Sequence, residues 1–199
     1  LHGFTEQAER GLELLEQAGM AVSIVQNDEV VFAGGFGCRD VEQGLRPDAH
    51  TVFPIGSATK SFTAAAVMLL CERGLIDLDA PIREYMPGLA FNDPSATLLA
   101  SPRDLLCHRT GLPRHDLLWI MRPYIARKEL PGLIRELEAS QAFRAKYQYN
   151  NLMYACLGRL VEKLDGRAWE DFIREELFAP LGMKSACFTP DAAIVNGNF

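Results

Sequence analysis

The sequence contains no apolar run long enough to cross a membrane. Its longest mostly apolar stretch, residues 62–71, is interrupted by Thr63 and is far shorter than the roughly 20 apolar residues that a bilayer requires. We therefore expect no membrane span and interpret the stretch as a buried helix. No basic-then-apolar signal sequence opens the chain, which begins at Leu1.

An excess of positive charge is also missing. The chain has 20 Lys and Arg against 26 Asp and Glu, which gives a formal net charge of −6. Its basic residues form no cluster, whereas proteins that bind nucleic acids or anionic membrane surfaces present clustered positive charge. We therefore expect neither nucleic acid nor a membrane surface as a partner.

Paired cysteines are absent as well. The five cysteines are scattered without a Cys-x-x-Cys pair: Cys38, Cys71, Cys107, Cys156 and Cys187. Their odd number, and the apolar helical settings of Cys71 and Cys156, predict free buried thiols. Reduced thiols favour the cytoplasm, whereas removal of a leader before Leu1 would place the protein in the periplasm or outside the cell.

The histidines supply no recognisable metal motif. His108 lies near His115 and Asp116, but their spacing matches no standard zinc signature. We therefore expect neither a metal nor another cofactor. His108 is predicted instead to anchor a turn around residues 110–111 through hydrogen bonds.

Apolar periodicity places a helix and a hairpin in the N-terminal part. With 48% hydrophobic residues over 199 positions, the chain can bury the core of one domain. Residues 5–18 are typical of an amphipathic helix, and the runs 20–26 and 29–36 predict two strands. Asn27-Asp28 between the runs favours a tight turn with positive φ. Residues 1–56 are thus predicted to hold the first helix, the hairpin and a loop.

The remainder of the chain is predicted to be mainly helical. A long apolar helix is expected over residues 57–74, ended by Gly74, and a mainly helical region over residues 75–182. Within that region we predict helices at 80–86, 102–107, 131–139, 150–164 and 168–178. Residues 183–199 are predicted to begin another strand. Because two strands alone leave an unpaired sheet edge, the hairpin is expected to lack a partner within this chain.

Ser57 and Lys60 form the strongest chemical pattern. Three positions apart at the start of a helix, the two side chains share one face. The Lys60 ammonium can hold the Ser57 hydroxyl, and its neutral form can take the hydroxyl proton. The Ser57 backbone N–H, in the first helical turn, can stabilise an oxyanion. The bare pattern is weak, because a helix cap at Ser57 and a surface residue at Lys60 would also explain it.

The residues around this pattern resemble a known family. Five blocks, in order, are similar to segments of class C serine β-lactamases, of DD-peptidases of the penicillin-binding-protein type, and of esterases of that fold. The blocks are residues 54–63, residues 74–87, residues 104–113, Tyr149-Asn150-Asn151 with Leu157-Gly158, and residues 179–183. The resemblance implies an α+β fold of the β-lactamase/transpeptidase type, with an antiparallel sheet flanked by helices and a mainly helical subdomain.

The same resemblance implies roles for the site residues. Ser57 would attack an acyl carbonyl of a small-molecule or peptide substrate (a peptide, an ester or a β-lactam) and form an acyl-enzyme, while Lys60 orients Ser57 and shares its proton. The general base would be Tyr149 or Lys60, and Asn151 would hold the substrate amide or Lys60. Because a phenol has a pKa near 10, an anionic Tyr149 would need a nearby cation such as Lys60.

Other interpretations compete with these roles. Tyr149 could serve packing alone, since it lies in Tyr147-Gln148-Tyr149, and Asn151 precedes an apolar helix as an N-cap would. The chain could also be a non-catalytic relative that uses the same pocket for sensing or as a scaffold. The presence of Ser57, Lys60 and Tyr149 together favours the hydrolase.

One element of the family pattern has no counterpart here. The family places a Lys or His, then Thr or Ser, then Gly on a strand well downstream of its Tyr-x-Asn element. Lys184-Ser185-Ala186 comes too soon and has Ala where Gly would let the substrate backbone approach. The resemblance therefore implies that the C-terminal strands of the sheet are missing and that residues 183–199 begin a truncated C-terminal part. Such a fragment is expected to be inactive alone and to self-associate or to pair with the missing part.

Overall fold

The computed structural model describes residues 2–120 and 126–199. The chain divides into two compact units, one formed by Leu1–Ile55 with Met183–Phe199 and the other by Gly56–Gly182. Among the described residues the helices are α1 (Phe4–Leu14), α2 (Thr59–Glu72), α3 (Pro94–Leu99), α4 (Pro102–Leu106), α5 (Asp116–Ile120), α6 (Leu130–Leu133), α7 (Asn151–Asp165), α8 (Trp169–Ile173) and α9 (Pro190–Asn196). The strands are β1 (Gly19–Gln26) and β2 (Glu29–Gly37). Residues 121–125, part of the predicted helical region 75–182, lie outside the described residues.

Strands β1 and β2 form the predicted hairpin. They pair antiparallel along their length, and in the described part of the chain they make a two-stranded sheet. The turn residues Asn27 and Asp28 have φ values of 52° and 64°. This confirms the predicted turn, because Asn and Asp enter the left-handed region more readily than other non-glycine residues.

Helix α1 covers one face of this hairpin. Ala8 and Leu12 of α1 are buried together with Phe36 of β2, and burial of apolar surface is the main favourable term in such packing. The helix ends at Leu14, before the predicted end at residue 18. The chain turns at Glu16, which has a left-handed φ of 51°.

The C-terminal residues form a helix, so the strand predicted from Met183 is wrong. Lys184 and Ser185 lie in a turn, and α9 begins at Pro190. The Thr189 hydroxyl accepts a hydrogen bond from the Ala192 backbone N–H at 3.2 Å. Thr followed by Pro is a helix-start signal, since the hydroxyl caps the first turn and Pro has the φ that the helix needs.

Helices α2 and α7 form the centre of the second unit. Helix α2 buries one face, with residues at helical spacing: Thr63, Ala66, Val67 and Leu70. Helix α7 packs against α2, α4 and α8 and buries a longer series: Leu152, Met153, Cys156, Leu157, Gly158, Leu160 and Val161. The first turns of α2 and α7 carry or adjoin all the predicted site residues, so the packing of these two helices positions the site.

Two predicted helices are shorter in the structure. Residues 80–86 contain only a 3-10 turn at Ile82–Glu84, since Pro87 disfavours helical backbone in the residue before it. Residues 131–139 contain the end of α6 and a 3-10 turn at Ile134–Glu136. The helices predicted at 102–107 and 150–164 correspond closely to α4 and α7.

The remaining differences concern one divided helix and two missed ones. Residues 168–178 contain α8 followed by a π-helical turn at Arg174–Phe178. Helices α3 and α5 were not predicted. For α3 a signal was present, because the Asp93 carboxylate accepts a hydrogen bond from the Ser95 backbone N–H at 2.7 Å and Pro94 occupies the first helical position.

In the described ranges no helix is long and apolar enough to span a membrane. All five cysteines are free, as predicted, but they differ in burial. Cys156 is fully buried in α7, and this burial raises the pKa of its thiol to about 12. Cys107 is exposed, and Cys38, Cys71 and Cys187 are only partly buried. The prediction of buried thiols is therefore confirmed at Cys156 but not at Cys71 or the other three cysteines.

Candidate active site

Ser57 lies in the turn that leads into α2. Gly56 has a φ of +51°, which glycine adopts without strain, and Gly56–Ala58 form a 3-10 turn. The α-helix itself begins at Thr59 rather than at the predicted Ser57. The Ser57 side chain is exposed and makes its hydrogen bonds with two other side chains, which does not support its interpretation as a helix cap.

Lys60 connects Ser57 to Asn151. Its Nζ donates to Ser57 Oγ at 3.2 Å and to Asn151 Oδ1 at 2.6 Å. The first contact follows from the spacing of the two residues on one helical face. The second joins residues 91 positions apart and depends on the packing of α2 with α7. Lys60 is half-buried and occupied by both contacts, unlike a free surface lysine.

Tyr149 contacts both members of this pair. Its hydroxyl lies 2.5 Å from Ser57 Oγ, and its ring centroid lies 4.6 Å from Lys60 Nζ. Burial by itself would raise the pKa of Tyr149, but the neighbouring Lys60 ammonium and the hydrogen bond with Ser57 outweigh burial and lower this pKa below its ordinary value. The packing-only interpretation does not account for a hydroxyl aimed at Ser57.

Asn150 holds its two neighbours in place. It is fully buried, and its Oδ1 accepts backbone N–H groups in the first turn of α7, the nearer at 2.8 Å. Its Nδ2 donates to the Pro113 carbonyl at 2.6 Å. The N-cap predicted at Asn151 is therefore wrong, because Asn150 is the cap. Asn151 is the first residue of α7, and its side chain reaches Lys60 while Tyr149 reaches Ser57.

His108 packs against Tyr149, with ring centroids 4.7 Å apart. Its Nδ1 accepts a hydrogen bond from the Asn150 backbone N–H at 3.1 Å, so in the neutral ring the proton is on Nε2. Burial, and then the charge of Lys60, lower the pKa of His108, which favours this neutral form. The hydrogen bonds that were predicted to anchor residues 110–111 run instead to the backbone on either side of Tyr149.

Two charged residues that the sequence analysis did not assign to the site adjoin it. Asp116 Oδ1 accepts a hydrogen bond from Asn151 Nδ2 at 3.3 Å, and Arg114 Nε donates to Asp116 Oδ2 at 2.6 Å. The Arg114 guanidinium carbon lies 5.1 Å from the Tyr149 ring centroid. The sequence carries only a weak signal for them, since His115-Asp116 suggests a metal motif rather than a contact with Asn151.

Hydrogen bonds connect the predicted site residues in one series: Tyr149, Ser57, Lys60 and Asn151. A serine hydroxyl that contacts both an ammonium and a phenol of lowered pKa has one group able to orient it and another able to take its proton. Across residues 2–120 and 126–199, no group of three or more His, Cys, Asp and Glu side chains could hold a metal ion. The arrangement is suited to activating an oxygen nucleophile.

Comparison with known families identifies the family of the chain. The family model described as Beta-lactamase matches residues 9–197. The chain belongs to the Beta-lactamase family. The resemblance inferred from the five sequence blocks is thereby confirmed for nearly the whole length of the chain.

Relatives of this family member include hydrolases of several descriptions. An unguisins hydrolase of Aspergillus campestris is 29% identical over 204 residues, covering 98% of this chain and 38% of its own length. A D-aminopeptidase of Brucella ovis is 29% identical over 184 residues, covering 89% of this chain and 34% of its own length. The chain therefore spans less than half the length of these relatives.

Solved structures confirm the predicted fold of this family member. The octameric penicillin-binding protein homologue from Pyrococcus abyssi matches with a TM-score of 0.80 and 29% identity, over 92% of this chain and 43% of that one. The D-amino acid amidase from Ochrobactrum anthropi SV3 matches with a TM-score of 0.75 and 25% identity, over 92% of this chain and 50% of that one. The fold is of the β-lactamase/transpeptidase type, and the described part of it here is mainly helical with a small antiparallel sheet.

Proposed function

We propose that the protein is a serine hydrolase that forms an acyl-enzyme at Ser57, with a peptide, an ester or a β-lactam as substrate. The observation that carries this proposal is the geometry of one hydroxyl. Ser57 Oγ lies 2.5 Å from the Tyr149 hydroxyl and 3.2 Å from Lys60 Nζ. A binding module for sensing or as a scaffold has no need for a serine between a base and a cation.

In the acylation step, the proton of the Ser57 hydroxyl passes to the base as Oγ forms a bond to the carbonyl carbon. Tyr149 in its anionic form is suited to this, because its pKa is lowered by Lys60 and Ser57 against the effect of burial. The backbone N–H of Ser57 lies in the first turn before α2 and supports the developing oxyanion. The bond from carbon to the leaving group then breaks, and the leaving group takes the proton from Tyr149.

The deacylation step uses the same groups in reverse. A water gives its proton to Tyr149 while its oxygen attacks the acyl carbon. Ser57 Oγ then leaves the carbon and takes this proton from Tyr149. Lys60 lies beside Ser57 and Tyr149 and is held by Asn151. Because Tyr149 and Lys60 are in direct contact, the base is best described as the pair.

The names of the relatives suggest which substrates to try first. One relative is a D-aminopeptidase and another is a D-amino acid amidase, so both are named for D-amino acid substrates. We propose an amide of a D-amino acid as the first substrate class, with β-lactams and simple esters as the others. D-phenylalanine amide with L-phenylalanine amide as its control gives a direct comparison.

The site proposal is tested by mapping the acylated residue. The full-length protein is treated with a fluorescent phosphonate or penicillin, and the adduct is located by peptide mass spectrometry. We expect the label on Ser57 and its loss in Ser57→Ala. Ser61→Ala is the matched control, because Ser61 lies about one turn further along α2 and its hydroxyl donates to the Ala58 carbonyl at 2.6 Å. Undiminished labelling of Ser57→Ala, or an adduct on another residue, would refute the assignment.

We further propose that turnover requires sequence that these residues do not carry. The Lys/His-Thr/Ser-Gly element of the family has no match, and relatives are more than twice as long as their matched part. Residues 1–199 should therefore be labelled slowly or not at all and should not hydrolyse an activated ester. Light scattering should show self-association, which is compatible with the octameric relative. A monomer with the turnover of the full-length protein would contradict this proposal.

A further inference from the structure

The side-chain amide of Asn151 is held from both ends. Its Oδ1 accepts a hydrogen bond from Lys60 Nζ at 2.6 Å, and its Nδ2 donates to Asp116 Oδ1 at 3.3 Å. The oxygen end of an amide only accepts and the nitrogen end only donates. An ammonium at one end and a carboxylate at the other therefore favour the same orientation of the amide and oppose its rotation.

Asp116 is itself held by Arg114. Arg114 Nε donates to Asp116 Oδ2 at 2.6 Å, so the two carboxylate oxygens serve different partners. The guanidinium carbon of Arg114 lies 5.1 Å from the ring centroid of Tyr149, within the range of a cation–π contact. Asp116 is thereby connected to both groups that contact Ser57, to Lys60 through Asn151 and to Tyr149 through Arg114.

The segment that carries this pair is fixed in turn. The Pro113 carbonyl, directly before Arg114, accepts a hydrogen bond from Asn150 Nδ2 at 2.6 Å. Asn150 also caps α7. Two hydrogen bonds therefore link the start of α7 to the segment at residues 113–116, one from Asn150 to Pro113 and one from Asn151 to Asp116. About a third of the Asp116 side chain remains exposed, against more than half for Arg114.

We propose that Asp116 is a positioning residue of the Ser57 site, which orients the Asn151 amide towards Lys60 and holds Arg114 over Tyr149. The reaction that Asp116 would serve rests on the proposed function, whereas the positioning of the Asn151 amide does not. Without the Asp116 carboxylate the Asn151 amide can rotate and present its NH₂ group to the Lys60 ammonium. Two donors then face each other, Lys60 loses an acceptor, and the contact of Lys60 with Ser57 loosens.

The charge of Asp116 gives the proposal a second signature. Through Asn151 and Arg114 the carboxylate keeps two cations, Lys60 and Arg114, beside Tyr149, and both cations lower the pKa of Tyr149. Removal of the carboxylate lets these cations move away, which disfavours the anionic form of Tyr149. The acidic limb of the kcat/KM profile should then move to higher pH, a change that simple partial unfolding would not produce.

The kinetic test compares three variants in the full-length protein. Asp116→Ala should lower kcat by about 10- to 100-fold, the scale of a small misplacement of reacting groups, with a smaller change in KM. Asp116→Glu should recover part of the loss. Asp171→Ala is the matched control, because Asp171 also pairs with an arginine two to three residues away, at 2.5 Å from Asp171 Oδ1 to Arg174 Nη1, and it should leave kcat unchanged. Labelling of Ser57 measures how many sites are correctly folded. If fewer folded sites account for the whole loss of kcat and the pH profile is unmoved, the proposal is overturned.

A second measurement does not depend on turnover, so it decides the geometry even if the proposed function fails. In ¹⁵N-labelled protein the Asn151 side-chain NH₂ signals, assigned by their loss in Asn151→Asp, should be shifted from those of a free amide and exchange slowly with solvent. Asp116→Ala should move these signals to free-amide positions, whereas Asp171→Ala should not. Signals of Asn151 that are unchanged in Asp116→Ala would overturn the proposal.

Discussion

The backbone N–H of Asn150 donates a hydrogen bond to His108 Nδ1 at 3.1 Å, which joins two residues 42 positions apart. The bond requires an unprotonated Nδ1, and the same imidazole packs against Tyr149. The neutral state of one buried histidine is therefore linked to the position of the segment that supplies Tyr149 and Asn151 to the site.

We predict that acid weakens the fold through His108. Because burial and Lys60 lower the pKa of His108, the unfolded chain binds this proton first as the pH falls. The stabilising contribution is fully present above the ordinary pKa of about 6.5 and declines as the pH falls below that value towards the pKa of the folded state. Urea unfolding of His108→Gln across this range should give a flatter dependence of the unfolding free energy on pH. The exposed His50 provides the control His50→Gln, and equal slopes in His108→Gln and wild type would count against the prediction.

Tyr149 and Lys60 should act as one proton-transfer unit. Tyr149→Phe and Lys60→Ala should each lower kcat by about 10²–10⁴, the usual range for loss of a general base. The double variant should lose little more, because groups that act together are not additive. Tyr147→Phe is the control, since Tyr147 is largely exposed. Fully multiplicative losses in single-turnover kinetics would argue that the two groups act separately.

The acidic limb of kcat/KM should report the ionisation of Tyr149. Its pKa is lowered, with burial opposing and Lys60, Ser57 and Arg114 producing the shift, so activity should rise with pH and reach its plateau before a free phenol would ionise, near 10. Arg114→Gln removes one of the cations and should move this limb to higher pH. A limb that stays in place in Arg114→Gln would mean that Arg114 does not act on Tyr149.

Asp104 should be important for stability in unit Gly56–Gly182. Its carboxylate is fully buried and accepts hydrogen bonds from Arg109 Nε at 2.5 Å and Arg144 Nη2 at 2.7 Å. Asp104→Asn should lower the unfolding free energy by about 1–3 kcal/mol. This loss is smaller than that from breaking a fully buried ion pair, because both arginines remain partly exposed. Urea unfolding measures the loss, and Asp79→Asn, which disrupts an exposed pair with Arg103, should change little.

The same carboxylate predicts acid sensitivity. Burial would raise the pKa of Asp104, but its bonds to Arg144, Ser101 and Arg109 outweigh burial and lower that pKa. Its contribution is therefore present above the ordinary pKa of 3.8 and is lost as the pH falls below that value. Acid unfolding of Asp104→Asn should lack this component, and an acid transition identical to that of wild type would contradict the prediction.

Local sequence was sufficient for the elements whose contacts are local. The hairpin turn at Asn27 and Asp28 follows from backbone preferences of those residues, and the contact of Ser57 with Lys60 follows from their spacing on one helical turn. Local sequence was not sufficient at the start of α7, because Asn150 and Asn151 are the same residue type and are equally suited to cap the helix. The short helices α3 and α9 were missed because their apolar periodicity is weak and their caps are what fix their starts.

The amino-acid sequence by itself thus determined the family, the order of the main elements and the residue types of the site. Only the tertiary structure decided which of these residues meet. Tyr149 and Asn151 lie 92 and 91 positions from their partners Ser57 and Lys60, and Asp116 joins them through Asn151. Contacts at such separations have no local signature, because they depend on how α2 packs against α7 and on a buried asparagine that holds the start of α7 to the segment at Pro113.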